Sequence, residues 1–293
     1  MELILKPTEL CNFKCTFCSS TKLVEEKSTL LDLEKVYEFL IRFPNTTTII
    51  INGGDPLMVK PDYYWKIIEF LDKKEMNTTL AFTTNLWDFY IRPEKWTELF
   101  NHQRVGVTTS FNYGNTRLIT EGRVLTEEIF WKISDLFQQR VGYRPDFISV
   151  INEENEDTAI DNVILAKKMQ VECKLNYAMA SGEESTPYQL SKIYQKYIEI
   201  FELGLTEWEF NTKQMIKRLR GSATMCPQNR DCDATIRCLQ PEGDYYSCGA
   251  FGDDKKFPIN FSKEMASTEK SLPLRKDPEI AMLKDECLTC EMF

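Results

Sequence analysis

Residues 2–18 read ELILKPTELCNFKCTFC, a short apolar run followed by three cysteines, Cys11, Cys15 and Cys18, spaced C-x3-C-x2-C with Phe17 before the last. Three thiolates at that spacing suit a metal cluster that needs four ligands. A four-iron, four-sulfur cluster held by only three cysteines keeps one iron open to something other than protein. A disulfide reading fits poorly, because an odd triplet cannot pair within itself. A zinc site usually asks for C-x2-C pairs completed by His or Cys.

The surrounding composition agrees with a metal-dependent interior protein. The chain has 293 residues, 42% hydrophobic and 28% charged, as in an ordinary globular protein able to bury a large core. Its net charge of -9 argues against an undirected grip on nucleic-acid phosphates or an anionic membrane. Glu2 and Lys6 interrupt the first apolar stretch and no small-residue cleavage site follows, so no signal peptide is expected. No apolar run approaches a bilayer span. Ten cysteines in a chain without export features point to a reducing cytoplasm and to metal rather than disulfides.

Outward from the triplet, strand-like runs alternate with helical ones. Strands are expected over 2–6, 47–51, 78–83, 104–110, 146–151 and 171–178, and helices over 30–43, 61–74, 93–100, 126–139 and 156–169. Leu33, Val36, Tyr37 and Leu40 recur at helical spacing, as do Ile160, Val163 and Ile164. Strands separated by such helices must run parallel, because each crossover returns the chain to the same edge of the sheet. The pattern predicts an α/β fold, a partial (β/α)6 TIM-type barrel over residues 1–203. Chemistry in such barrels gathers at the C-terminal strand ends, and the cysteine triplet follows the first strand.

Beyond residue 203 the rhythm breaks. Gly204, Gly221, Gly243, Gly249 and Gly252, with several prolines, punctuate a stretch holding Cys226, Cys232, Cys238, Cys248, Cys287 and Cys290. Residues 204–293 read as a small, irregular, cysteine-rich domain stapled by metal, since such a segment builds little core by itself. Cys173, in the sixth expected strand, reads as core. His102 is the only histidine and reads as a solvated loop residue, so acid and base work falls to Asp, Glu, Lys, Tyr or Cys.

The triplet, its place after a first strand, and Asn52-Gly53-Gly54-Asp55-Pro56 at the end of the second strand together resemble the radical S-adenosylmethionine (radical SAM) enzymes. Asp55 stands where the family's Gly-Gly-Glu-Pro motif has Glu. The resemblance covers roughly residues 1–180. It implies a [4Fe–4S] cluster on Cys11, Cys15 and Cys18, with S-adenosylmethionine chelating the open iron through its methionyl amine and carboxylate. Glycines at 53 and 54 allow close backbone approach to the ligand, and Asp55 would accept from the methionyl ammonium. Thr84-Asn85, Ser110 and Asn152 resemble the family's later strand-end contacts to the ribose and the methionyl carboxylate, and Phe17 its aromatic beside the cofactor.

Cys232, ten residues and then Gly243-x4-Cys248 resemble the opening of the SPASM and twitch extensions of the same family. Cys287-x2-Cys290 supplies two further thiolates, so Cys232, Cys248, Cys287 and Cys290 would close one auxiliary cluster, as in the twitch type. The SPASM alternative, with two auxiliary clusters, uses Cys226-x5-Cys232; its last two cysteines would fall after Phe293, so either the extension is the shorter kind or a piece is missing here. Cys226 and Cys238 are then a cluster ligand, a hydrogen donor or structural thiols. The resemblance implies reductive cleavage of S-adenosylmethionine by an electron from a flavodoxin or ferredoxin, followed by hydrogen abstraction from substrate. Relatives with this extension mostly modify peptides or proteins by oxidation or crosslinking. The alternatives are a twitch-type small-molecule dehydrogenase and a non-catalytic iron-sulfur electron carrier.

Overall fold

A computed structural model describes residues 1–18, 29–119, 122–178, 188–221, 236–246, 249–253, 255 and 258–259. Six strands fall where the alternation places them: β1 (Glu2–Leu5), β2 (Thr48–Ile51), β3 (Thr79–Thr83), β4 (Val105–Ser110), β7 (Phe147–Ile151) and β8 (Cys173–Tyr177). They pair in parallel in the order of the chain, β1 against β2 through to β7 against β8. The sheet does not close on itself, so the architecture is a partial barrel.

Local chemistry explains these elements. In β1 and β2 every second residue is buried, and Leu3, Leu5, Ile49 and Ile51 are wholly inaccessible. Helix α1 (Leu33–Arg42) starts where the Asp32 carboxylate accepts from Glu34 N, and buries Val36, Phe39 and Leu40. Helix α2 (Pro61–Lys73) opens on a proline, which suits a first turn. Helices α3 (Trp87–Ile91) and α4 (Pro93–Phe100) follow β3, and α5 (Glu127–Val141) runs from a Thr126 cap to Gly142 at φ 95°. Rings of Tyr64, Phe82, Phe89, Trp96, Phe100 and Phe137 interlock between sheet and helices. Each such ring contributes about 1.5–3 kcal/mol by leaving water.

Three features differ from the sequence expectation. After β4 the chain makes a short hairpin, β5 (Leu118–Ile119) with β6 (Arg123–Val124), too brief for any periodicity to register. After α6 (Ala159–Met169) and β8, two more helices, α7 (Leu190–Glu202) and α8 (Phe210–Leu219), close that end of the sheet. The second is anchored to β8 by Glu209, whose buried carboxylate accepts from Leu175 N, Asn211 N and Thr212 N. Finally, β9 (Ile236–Leu239) lies parallel to β1, and β10 (Tyr245–Tyr246) lies antiparallel to β9, extending the sheet to eight strands. Residues beyond 203 thus add strands beside the one that leads into the cysteine triplet. The short helix α9 (Gly249–Asp253) is tied to the same strand end by an ion pair between Lys6 and Asp253.

Cys173 is fully buried in β8, as its position in the pattern implies. His102 is half-buried, packed edge-on against Trp65 with its Nδ1 accepting from Arg104 N at 3.3 Å, at the end of β4 remote from the triplet. No helix of the described residues is long and apolar enough to cross a membrane.

Candidate active site

The loop after β1 carries Cys11, Cys15 and Cys18 and is held from two sides. On one side the hairpin segment accepts from it, Lys14 N donating to Leu118 O at 2.8 Å and Thr16 N to Thr116 O at 3.1 Å. On the other, the loop after β2 presses against it: Gly54 N donates to Thr8 O at 2.9 Å and Asp55 N to Leu10 O at 2.7 Å. This contact is why glycines stand there. Gly53 has φ 122°, and a Cβ on it would lie 2.5 Å from Thr8 O; one on Gly54 would overlap the carbonyl oxygens of Glu9 and Leu10. The close approach expected of Gly53 and Gly54 toward a ligand is, in the structure, an approach to the backbone that carries the cysteines.

Asp55 is fully buried, and its carboxylate is already engaged. Oδ1 accepts from Leu57 N at 2.8 Å, Oδ2 accepts from Asn85 N at 2.8 Å, and the Thr84 hydroxyl lies 3.0 Å from both oxygens. Burial lifts its pKa to about 6, against the pull of the hydrogen bonds from Asn85, Leu57 and Thr84. Asp55 therefore fastens the end of β2 to the end of β3 while also lining a cavity beside the cysteines. Thr84 is its hydroxyl partner, and Leu86 N donates to the same hydroxyl at 3.1 Å. Asn85 carries the link onward, its Nδ2 donating to Asn12 Oδ1 at 2.7 Å and lying 3.9 Å from Cys11 Sγ. Phe13 N donates to Cys11 Sγ at 3.3 Å, and the Phe13 ring packs edge-on against Trp87 of α3.

These residues surround a cavity of about 180 Å³ at the C-terminal ends of the strands, lined by Cys11, Cys15, Cys18, Phe17, Gly53, Gly54, Asp55, Thr84, Asn85 and Ser110 among others. All ten of these are residues the sequence singles out for cofactor contact or metal. Asn152 is not among the lining residues: its Oδ1 accepts from Glu154 N at 3.1 Å and its backbone N donates to Asn155 Oδ1, so it caps the turn after β7. Cys226, Cys232, Cys248, Cys287 and Cys290 lie outside the described residues. Cys238 is described, fully buried in β9, with Gln240 Nε2 donating toward its sulfur at 3.7 Å.

Two lining residues escaped the sequence reading as ligand contacts. Asn52 opens the Asn-Gly-Gly-Asp motif, and its Oδ1 is buried against the cavity without a hydrogen-bond partner. Arg117, at the foot of the hairpin, is buried with its guanidinium 5.1 Å from the Phe17 ring centroid. Nothing in a single sequence marks an arginine seven residues past a strand as part of a site, since only the fold of the hairpin returns it to the cysteines.

The donor set fits an iron-sulfur cluster. None of the three cysteines is in a disulfide. Burial raises Cys11 well above the ordinary thiol range and Cys15 to about 11, the latter against the pull of the Arg117 guanidinium, so a bound metal would favour the thiolate forms. Among the described residues no three His, Cys, Asp or Glu side chains converge as ligands of a single ion. The cavity beside the thiols presents an orphaned acceptor at Asn52, as a bound ammonium or amide would require.

A partial parallel barrel with three cysteines after its first strand, and a glycine pair from the second strand packed against them, is an arrangement that fits an enzyme with a metal cluster at the barrel mouth. The Radical SAM superfamily model matches residues 5–166, more than half of the chain, and the chain belongs to that superfamily. Membership implies a [4Fe–4S] cluster and S-adenosylmethionine. Among curated proteins, GTP 3',8-cyclase of Mannheimia succiniciproducens is 30% identical over 98 residues, 32% of this chain and 28% of that protein's length. Among solved structures, anSMEcpe with bound AdoMet and Cp18Cys peptide superposes with a TM-score of 0.72 at 18% identity, covering 100% of this chain and 86% of that one. SuiB of Streptococcus suis bound to precursor peptide SuiA gives 0.65 at 16% identity, covering 99% and 69%. At these identities the superpositions establish a shared fold.

Proposed function

We propose that this chain reductively cleaves S-adenosylmethionine and abstracts hydrogen from a side chain of a peptide or protein, leading to oxidation or crosslinking. The observation that carries the reading is the convergence of Cys11, Cys15 and Cys18 with Gly53, Gly54 and Asn52 on one cavity at the strand ends. Bound together, a [4Fe–4S] cluster and S-adenosylmethionine supply one-electron cleavage of the sulfonium bond to methionine and a 5'-deoxyadenosyl radical. The three thiolates, which line the cavity, would hold the cluster. Asn52 Oδ1 is the free acceptor best placed for the methionyl ammonium, a role the engaged Asp55 carboxylate leaves to it. Ser110 and Phe17 line the same space for the remaining ligand atoms.

A peptide substrate is supported by the fold likeness to anSMEcpe and SuiB, both of which are described in complex with peptides. The partial match to a GTP cyclase favours, as a second reading, a small-molecule substrate. We read residues 204–293 as an auxiliary cluster domain using Cys232, Cys248, Cys287 and Cys290, with Cys226 as a further ligand if two clusters are present. A flavodoxin or ferredoxin is the reductant of this reading, and the cytoplasm its compartment. Anaerobically reconstituted protein, reduced and given S-adenosylmethionine with candidate precursor peptides, should yield peptide that has lost hydrogen mass. Deuterium transfer from a labelled nucleotide or sugar into 5'-deoxyadenosine, with none from peptide, would move the assignment to the small-molecule class.

A further inference from the structure

Arg117 is a buried cation whose partners do not account for its charge. Its Nε donates to the neutral Asn112 Oδ1 at 2.6 Å, and Nη2 donates to Ile148 O at 3.2 Å. The Phe17 ring covers one face. Among the described residues it forms no ion pair with a carboxylate. Arg117 lines one cavity with Cys11, Cys15 and Cys18, and donates a hydrogen bond to the Cys15 sulfur. An unpaired buried charge is costly by several kcal/mol, and folds keep one where an anion completes it. Here the anions are the thiols themselves once they are ionised.

The surrounding geometry fixes Arg117 rather than letting it adapt. Asn112 is fully buried, and its Nδ2 donates to Thr116 Oγ1 at 2.8 Å, so the acceptor of the guanidinium is itself held. The hairpin that carries Arg117 is bonded to the cysteine loop at Lys14 and Thr16. The segment that carries the guanidinium is thus tied to the loop that carries the thiols. Further donors face the same sulfurs, Phe13 N and Asn85 Nδ2 toward Cys11.

We propose that Arg117 is a positioning residue that sets the reduction potential of the cluster held by Cys11, Cys15 and Cys18. A cluster on three thiolates is already anionic when oxidised, and the electron taken from a low-potential one-electron donor adds to that charge. A fixed guanidinium against Cys15, screened from water, stabilises the reduced form more than the oxidised form and raises the potential. The proposal rests on the three-cysteine cluster reading, which the iron content of the parent protein checks separately.

The test is an EPR-monitored redox titration of reconstituted protein without S-adenosylmethionine, with the signal of this cluster identified by its perturbation when S-adenosylmethionine is added. Arg117→Gln should lower the midpoint so that the reduced-to-oxidised ratio at a given potential falls about tenfold, about 59 mV for a one-electron couple. Arg117→Lys, which keeps the charge, should retain most of the parent value. An unchanged midpoint in Arg117→Gln with weakened S-adenosylmethionine binding would overturn the proposal and make Arg117 a ligand contact only. If Arg117→Gln takes up no iron, the parent decides: with 15N-labelled arginine, pulsed EPR of the reduced cluster should detect a 15N coupling. Its absence would overturn the proposal.

Discussion

The backbone N–H of Asn85 donates to the Asp55 carboxylate at 2.8 Å, joining the end of β3 to the end of β2 directly behind the cysteine loop. Through the Asn85 carboxamide the same connection reaches Asn12 and Cys11. The acid of the Gly-Gly-Asp motif therefore links three loops at the strand ends.

Replacing it tests that role. Asp55→Ala strands the N–H groups of Leu57 and Asn85 in the interior, and should lower stability by about 2–4 kcal/mol in chemical denaturation. A cost below about 1 kcal/mol would show that the carboxylate does not hold these loops together.

The glycine pair makes a steric prediction. Gly54→Ala forces the loops after β1 and β2 apart, because its Cβ meets two carbonyl oxygens of the backbone. It should cost about 3 kcal/mol or more and abolish iron uptake. Gly106→Ala in β4, whose Cβ would meet nothing within 4 Å, is the matched control and should change stability by no more than about 1 kcal/mol.

Asp88 offers a pH signature away from the site. Burial pushes its carboxyl up, but Arg92, Trp96 Nε1 at 2.7 Å and Lys95 at 2.9 Å outweigh it and hold the pKa below the usual 3.8. A carboxylate with a depressed folded-state pKa contributes stability above its unfolded value and loses it as pH falls through the folded value. Asp88→Asn should therefore cost about 1–3 kcal/mol at neutral pH. That difference should narrow as the pH falls below about 4, where the unfolded carboxyl takes up a proton, and vanish below the lower folded-state pKa, where the parent also carries a protonated carboxyl.

Iron counting addresses the cysteines. Replacing Cys11, Cys15 and Cys18 by Ala should remove about four irons per chain and leave those bound elsewhere. A remainder of about four supports one auxiliary cluster on Cys232, Cys248, Cys287 and Cys290, and about eight supports two. No remainder at all would remove the auxiliary-domain reading.

The barrel was legible because β-branched and helical patterns alternate cleanly from Glu2 to Tyr177, and because Pro61, Pro93 and Thr126 mark helix starts that the chain uses. The triplet and the Asn-Gly-Gly-Asp turn were legible because their chemistry is local. Roles that depend on long-range return were not. Arg117 reaches Cys15 only through a hairpin of two-residue strands, and Asp55 turns inward only because Thr84 and Asn85 arrive from another strand. The pairing of β9 with β1 was hidden for the same reason, since four residues after an irregular stretch carry too little periodicity to announce a parallel strand.

The central claim is that this site cleaves S-adenosylmethionine through a cluster held by Cys11, Cys15 and Cys18. It is tested most directly by incubating reconstituted, dithionite-reduced protein with S-adenosylmethionine alone and quantifying 5'-deoxyadenosine by mass-calibrated chromatography. The account predicts steady 5'-deoxyadenosine formation by the parent and background levels for Cys15→Ala. Parent protein carrying its irons yet producing no more than Cys15→Ala would contradict it.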